Sequence, residues 1–399
     1  MPEAEPRDGN EHSSDWNPHA PVVVADQRTA YDELRERCPV AHSEALGWSV
    51  LRHAEVQQVL DDPDTFSNVV SQHLSVPNGM DPPEHTAFRA LIEPYFEPSR
   101  VQSFEPAFRT AARAIVSAAV SRGSVEAMSE LATPFAALVQ CRFMGWPDEV
   151  ATSLIQWIEE NQQAVRQRDR PVLERLARDF ELLVARMLDE SRSHARGDSP
   201  DTTKMLSEAR VDGRALTTAE IASILRNWTA GEIGTLAVAA GILMHYLATH
   251  PQEQQDHRNA SYVSTTLTDE VLRADGPLVS NRRRVTRPTT LGGRTLQPND
   301  RVTLMWIAAD RDPRAFDAAD TVVAVRDQGR SLLYGSGIHA CPGAPLARLE
   351  LRILGEELLA ATNQITLDPH IHGQRAAAPA AGWASLPIRL HAPATPGAN

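Results

Sequence analysis

A single cysteine set among glycines, directly ahead of a helix, restricts this chain more than any other feature. The stretch is Leu333 to Arg352, LYGSGIHACPGAPLARLELR. Gly335, Gly337 and Gly343 let the backbone around Cys341 turn tightly and approach a broad, flat ligand closely. Apolar spacing from Ala344 to about Ala361 predicts a helix, so Cys341 lies just before a helix N-terminus. Backbone N–H groups there can aim at the sulfur and favour thiolate over thiol. Pro342 has no N–H, so the donor must be a later residue such as Gly343. An isolated cysteine in such a turn is more often a buried structural residue. A zinc site on His339 and Cys341 fails for want of a second ligand pair at suitable spacing.

The remainder of the chain is ample to bury such a site. Its 399 residues are 42% hydrophobic and 23% charged, an ordinary globular composition. Length alone would allow two domains, but the expectation is a polar, disordered segment over residues 1–20 and one domain over 21–399. The net charge of −13, from 39 basic and 52 acidic side chains, repels phosphate backbones and argues against nucleic acid as a partner. No apolar run approaches the roughly eighteen residues of a membrane span. The polar opening lacks the apolar segment of a signal peptide, so a cytoplasmic location is expected. Cys38, Cys141 and Cys341 are too few and too widely spaced for a disulfide framework.

Periodicity predicts helices over Gln27–Arg37 and His53–Asp61, with a strand from Gly47 to Arg52 between them. A loop follows from about Asn68 to Pro83, then helical pattern from Glu84 to about Gly123, broken at Pro98. Further helices are expected over Val125–Met144, Glu149–Val165 and Pro171–Ser193, with a polar loop over Arg196–Thr203. A long helix should run from Thr218 to Thr249 and stop at Pro251. Short strands are expected between Leu278 and Ile307. The fold class is mainly α with a small β region.

The cysteine stretch resembles the haem-binding loop of the cytochrome P450 family, Phe-Gly-x-Gly-x-His-x-Cys-x-Gly. It matches at Gly335, Gly337, His339, Cys341 and Gly343, with Tyr334 in place of the Phe. The resemblance implies the family's triangular, helix-rich fold around a buried haem b, with Cys341 as axial iron ligand and His339 on a haem propionate. A haem iron needs a charged, soft ligand shielded from water. Tyr334 keeps the aromatic bulk beside the sulfur but adds a hydroxyl that requires a partner.

Other motifs follow in the family's order. Glu270 and Arg273 are one helical turn apart and resemble its Glu-x-x-Arg pair. The third member, normally an Arg, falls at Thr321 unless Arg326 or Arg330 takes the place. His85 and Arg89, at i and i+4, face one side of a helix and by resemblance meet the propionates. Arg283 should join them, or Arg282 if the register differs by one. Read without the resemblance, such residues are more often solvent-facing. On the long helix Ala230 and Gly231 match the family's oxygen-side pattern, but Ile233 and Gly234 hold its acid and alcohol positions. Glu232 and Thr235 are each displaced by one residue, a rotation of about 100°. A bulge at Gly231 or Gly234 would bring Thr235 back. The competing reading is a helix-stabilising Glu and a back-bonded Thr.

The chain is most similar in these motifs to a bacterial branch of thiocarbamate-degrading and reductase-fused enzymes, here without the reductase. That implies insertion of one oxygen atom from O2 into a small apolar, aromatic substrate by hydroxylation or O-/N-dealkylation. Electrons would come from NAD(P)H through a separate ferredoxin and ferredoxin reductase, docking near Arg348 and Arg352 on a local basic patch. Substrate contacts are expected at Leu74, Trp228, Thr229, Val279 and Trp383. The rival functions are a peroxide-driven haem peroxygenase, a non-catalytic haem sensor, and a hydrolase using Cys341 and His339.

Overall fold

The computed structural model describes residues 14–193 and 201–393. The long helix Thr218–Thr249 organises the rest. Thr217 accepts a hydrogen bond from the Glu220 N–H, and the Glu220 carboxylate accepts one from the Thr217 N–H, a reciprocal cap that fixes where the helix begins. Contrary to the reading of apolar runs above, this helix is long and apolar enough to cross a membrane, yet 56% of its most apolar window is buried inside the protein. It packs against helices Thr133–Met144, Arg170–Ser193, Thr265–Asp275 and Ala344–Ala361. Its apolar character is that of a core helix touched from several sides.

The expected helices Gln27–Arg37, His53–Asp61 and Ala344–Ala361 form with those bounds. Val125 lies instead in a short strand, Ser124–Glu126, ahead of a π-helical turn, Met128–Ala132. Pro251 ends one helix and opens another, Pro251–Ala260, because a proline at the first helical position forfeits no hydrogen bond. Thr202 and Thr203, expected in a loop, begin helix Thr202–Glu208 under an Asp201 cap; residues 194–200 of that loop lie outside the described residues. So do residues 1–13 of the segment expected to be disordered. From Ser14 the chain is packed: Asp15 N–H donates to His42 O at 2.9 Å, and Trp16 meets Tyr31 edge-on.

The principal sheet has five strands, in the order Val40–Ser43, Gly47–Val50, Arg301–Met305, Ser280–Val285 and Phe66–Ser67. Arg301–Met305 runs parallel to Gly47–Val50, and the other pairs are antiparallel. Val302 sits opposite Arg283, and Thr303 opposite Arg282. Strand alternation therefore buries Arg283 and leaves Arg282 exposed. A second sheet joins Gln364–Leu367, Pro387–His391 and Ser124–Glu126, giving the Pro- and Ala-rich tail a strand structure that its composition concealed.

Glu270 and Arg273 pair with both side chains wholly buried, Nε to Oε2 at 2.7 Å. Arg326 takes the third place, its Nε donating to Glu270 Oε1 at 2.8 Å. Gln328 and the Val323 N–H add further donors at 3.0 Å. Thr321 contributes only its carbonyl, which accepts from Arg273 Nη2, and Arg330 stands apart with its carbonyl on His53. Arg273 also donates to the Asp310 and Ala319 carbonyls. Helix Thr265–Asp275 is thereby tied to the irregular segment that leads into the cysteine loop. Burial pushes the Glu270 carboxyl up, but the donors around it prevail and hold it at about 2. Its contribution to stability is complete above the ordinary value of 4.5 and is lost as pH falls toward about 2. Glu270→Ala should cost about 3–5 kcal/mol at neutral pH because it strands buried cations. In urea melts the gap between wild type and variant should narrow at about pH 3; an unchanged gap would contradict this account.

Candidate active site

The cysteine loop is closed by its own backbone. Cys341 N–H donates to Tyr334 O at 2.8 Å, bringing the two ends of the motif together. Gly337 has φ +69°, and a Cβ there would stand 2.7 Å from Leu60 O, so this position admits only glycine without strain. The N–H groups of Gly343 and Ala344 point at the sulfur. Burial pushes the Cys341 thiol up, and those two N–H groups oppose that. Cys341 is nonetheless exposed; the space it meets is an internal cavity of about 340 Å³.

The Tyr334 hydroxyl finds the partner it requires. It donates to Asp269 Oδ1 at 3.2 Å, and Arg348 Nε donates to the same carboxylate at 2.8 Å. The Arg348 guanidinium also lies 4.6 Å from the Tyr334 ring centre. Asp269 was invisible as a site residue in the sequence, since nothing but its place beside Glu270 marks it.

Four nitrogen-bearing side chains gather along one side of the cavity. Arg89, Arg283 and His339 line it, and the His85 and His339 rings lie 4.2 Å apart. Nε2 of both histidines is buried without a partner. Burial, then the cationic neighbours His85, Arg283 and Arg89, push His339 down to about 3. Burial pushes Arg283 down to about 10, with Asp81 partly offsetting it. Arg283 spends one nitrogen on the Arg282 carbonyl, and Arg89 bonds Glu93 across one turn. Such a convergence of donors suits an anionic group.

The same cavity is lined by Trp228, Gly231, Glu232, Thr235, Leu236 and Ala239 of the long helix. Helix Thr218–Thr249 is α-helical throughout, so no bulge is needed to turn Thr235 inward. Spacings of three and four put these residues on one face. Ile233 is fully buried elsewhere, and a Cβ on Gly234 would meet Gln162. The back-bonded threonine of this stretch is Thr229, whose hydroxyl donates to Leu225 O at 2.8 Å.

The family model described as Cytochrome P450 matches residues 150–361. A probable cytochrome P450 127A1 of Sinorhizobium fredii is 30% identical, with 78% of this chain and 76% of that one covered. The erythromycin C-12 hydroxylase of Saccharopolyspora erythraea is 31% identical, with 86% and 90% covered. The chain belongs to the cytochrome P450 family. A solved structure of a mutant of P450 EryK in complex with erythromycin B superposes with a TM-score of 0.82 at 28% identity, over 94% of this chain and 99% of that one. The fold is thus the cytochrome P450 fold, and the chain is an enzyme of the monooxygenase class.

The family's haem fits this cavity on the structure's own terms. The orphaned ring nitrogens of His85 and His339, with Arg89 and Arg283, could hold two propionates. The sulfur of Cys341, with N–H groups aimed at it, could hold the iron. Some residues expected at this P450 site lie elsewhere. Ala230 is exposed and is not among the lining residues. Leu74 is exposed, its carbonyl held by Ser223 and Arg226, and neighbouring Pro77 and Asn78 line the cavity instead. Thr229 is buried against Met144. Val279 packs in the Tyr31 and Leu34 cluster, with Leu278 and Asn281 facing the cavity in its place. Trp383 lies against the His245 ring at 4.4 Å between centres, with the Arg375 guanidinium 4.0 Å from its ring centre. These misses turn on which way a side chain faces, which position in sequence does not specify. Arg283→Gln should weaken haem retention at least about tenfold in transfer to a haem acceptor, as expected for loss of a charged hydrogen bond, whereas Arg282→Gln should leave it unchanged. Equal losses would reject the assignment.

Proposed function

We propose that this P450 inserts one oxygen atom from O2 into a small apolar, aromatic substrate by hydroxylation or O-/N-dealkylation. In this reading Cys341 is the axial ligand of a haem b, and the chain works in the cytoplasm as one domain over residues 21–399. Bound haem supplies the reductive activation of O2. The chain's residues do the rest. His85, Arg89, Arg283 and His339 anchor the propionates, while Trp228, Leu236 and Ala239 exclude water from an apolar wall. Glu232 and Thr235 hold protons on the oxygen side. The observation that carries this reading is the cavity itself: Cys341, with its N–H donors, shares it with the face bearing Glu232 and Thr235. Presence of an acid and an alcohol on that face favours a reductant-driven enzyme over a peroxide-driven one.

Relatives named a hydroxylase and an epoxidase support single-oxygen insertion and leave the substrate to this chain's own lining. Electrons are taken from NAD(P)H through a separate ferredoxin and reductase. The docking surface is not a bare basic patch: Arg352 pairs with Glu105 and Glu356, and Arg109 with Glu105, Glu356 and Glu357. Arg348 and Arg113 are paired too, with Asp269 and Glu357, but their side chains are 40% and 67% exposed, and in this reading they meet the acidic partner. Purified protein reduced under carbon monoxide should show a strongly red-shifted Soret band, and Cys341→His should abolish it. A spectrum like that of a histidine-ligated globin in the wild type would end this reading.

A further inference from the structure

One cation at the surface is joined to the cysteine loop by an unbroken line of side chains. Arg348, on helix Ala344–Ala361, donates from Nε to Asp269 Oδ2 at 2.8 Å, and Asp269 Oδ1 accepts the Tyr334 hydroxyl at 3.2 Å. The Arg348 guanidinium also lies 4.6 Å from the Tyr334 ring centre. Tyr334 in turn accepts the Cys341 N–H on its carbonyl. A phenylalanine in place of Tyr334 would have no polar tie to Asp269. Asp269 is 8% exposed and precedes Glu270, whose carboxylate is held by four donor residues. Arg348, at 40% exposed, is the member with room to move. Among the described residues its two terminal nitrogens have no partner, whereas those of Arg352 and Arg109 are taken by carboxylates. Arg113 also pairs through Nε alone, but its partner Glu357 leads back to Arg109 and not to the loop. A guanidinium with its terminal N–H groups unspent can serve a second carboxylate.

We propose that Arg348, Asp269 and Tyr334 transmit the docking of an acidic electron-donor protein to the cysteine loop: a carboxylate of the partner draws Arg348 away, and Asp269 turns its charge on the Tyr334 hydroxyl. This rests on the oxygenase reading above, which requires a reducing partner. In the free protein Asp269 divides its charge between a guanidinium and a phenol O–H. A carboxylate brought against the terminal nitrogens offers Arg348 a partner of the same kind, so the exchange is close to even in energy. Asp269, still shielded from water, is then left with the Tyr334 O–H as its side-chain donor. In such low-dielectric surroundings that bond strengthens, and the ring loses the cation lying over it. Tyr334 gives a hydrogen bond but keeps its proton: burial, then the Asp269 charge, push its phenol well up. Negative charge is thereby concentrated beside the loop that carries Cys341, which disfavours adding an electron there. Asp269 and Tyr334 are positioning residues in this account, acting on the site through the loop.

The chain has five tyrosines, so NMR of the reduced carbonyl holoenzyme, isotopically labelled at the tyrosine carbon bearing the hydroxyl, can follow Tyr334, with Y334F assigning its resonance. Burial pushes Asp269 up, and mildly alkaline pH keeps it charged throughout. R348Q should move the Tyr334 resonance and leave the others in place, and D269N should move it in the opposite sense. Hexaglutamate, standing in for the partner's acidic face, should shift it in wild type in the same sense as R348Q, with no effect in R348Q or D269N. R113Q should weaken the peptide's hold without changing the limiting shift. A Tyr334 resonance unmoved by R348Q, or by the peptide in wild type, overturns the proposal, as does a peptide response that survives in R348Q or D269N. A second measurement separates transmission from mere loss of surface charge. At a fixed solution potential R348Q should raise the ferric-to-ferrous ratio by about threefold or more, and the same substitution made on Y334F should do clearly less. Equal effects in the two backgrounds likewise overturn it. The reduced carbonyl spectrum should be normal in every variant; an abnormal one in wild type would fail the haem-thiolate reading instead.

Discussion

A single buried carboxylate, Glu270, sets the conditions for everything around the sulfur. Burying a charge is costly unless every lone pair is met, and here two guanidiniums, an amide and a backbone N–H meet it. Because Arg273 also holds the Asp310 and Ala319 carbonyls, the segment before the cysteine loop has few ways to shift. Asp310 extends the same tie, accepting the Leu332 N–H at 2.7 Å. The loop enters from this fixed point, and its glycines then need only shape the last turn.

The site built on that base brings groups of different charge into one cavity. Arg89, Arg283, His339, the Cys341 sulfur with two N–H groups aimed at it, and Glu232 all line it. Phe96, Phe143 and Trp228 line it as well and contact one another as a cluster of aromatic rings.

Sequence made legible whatever depends on local chemistry. The helix start at Thr218, the cysteine loop and the Glu270–Arg273 pair are each written in a few adjacent residues. Arg283 over Arg282 required the strand's register with Arg301–Met305, a long-range fact. Arg326 over Thr321 required the path of an irregular segment, where counting along the chain has no geometric meaning. Asp269 went unnoticed because its role depends on what stands across from it. The tail strands were hidden for a related reason: Gln364–Leu367 and Pro387–His391 are stabilised by pairing with each other, so composition alone says little about them.

The regular helix beneath Glu232 and Thr235 has a wider implication. By the family resemblance read in the sequence, the acid and the alcohol here are each displaced by one residue. Viewed down the axis, they stand about 60° apart on the same side of the helix, because a separation of three residues turns the chain through about 300°. A helix therefore preserves a function as an angle and a height, and the letter that occupies a given column is only one of several ways to write it.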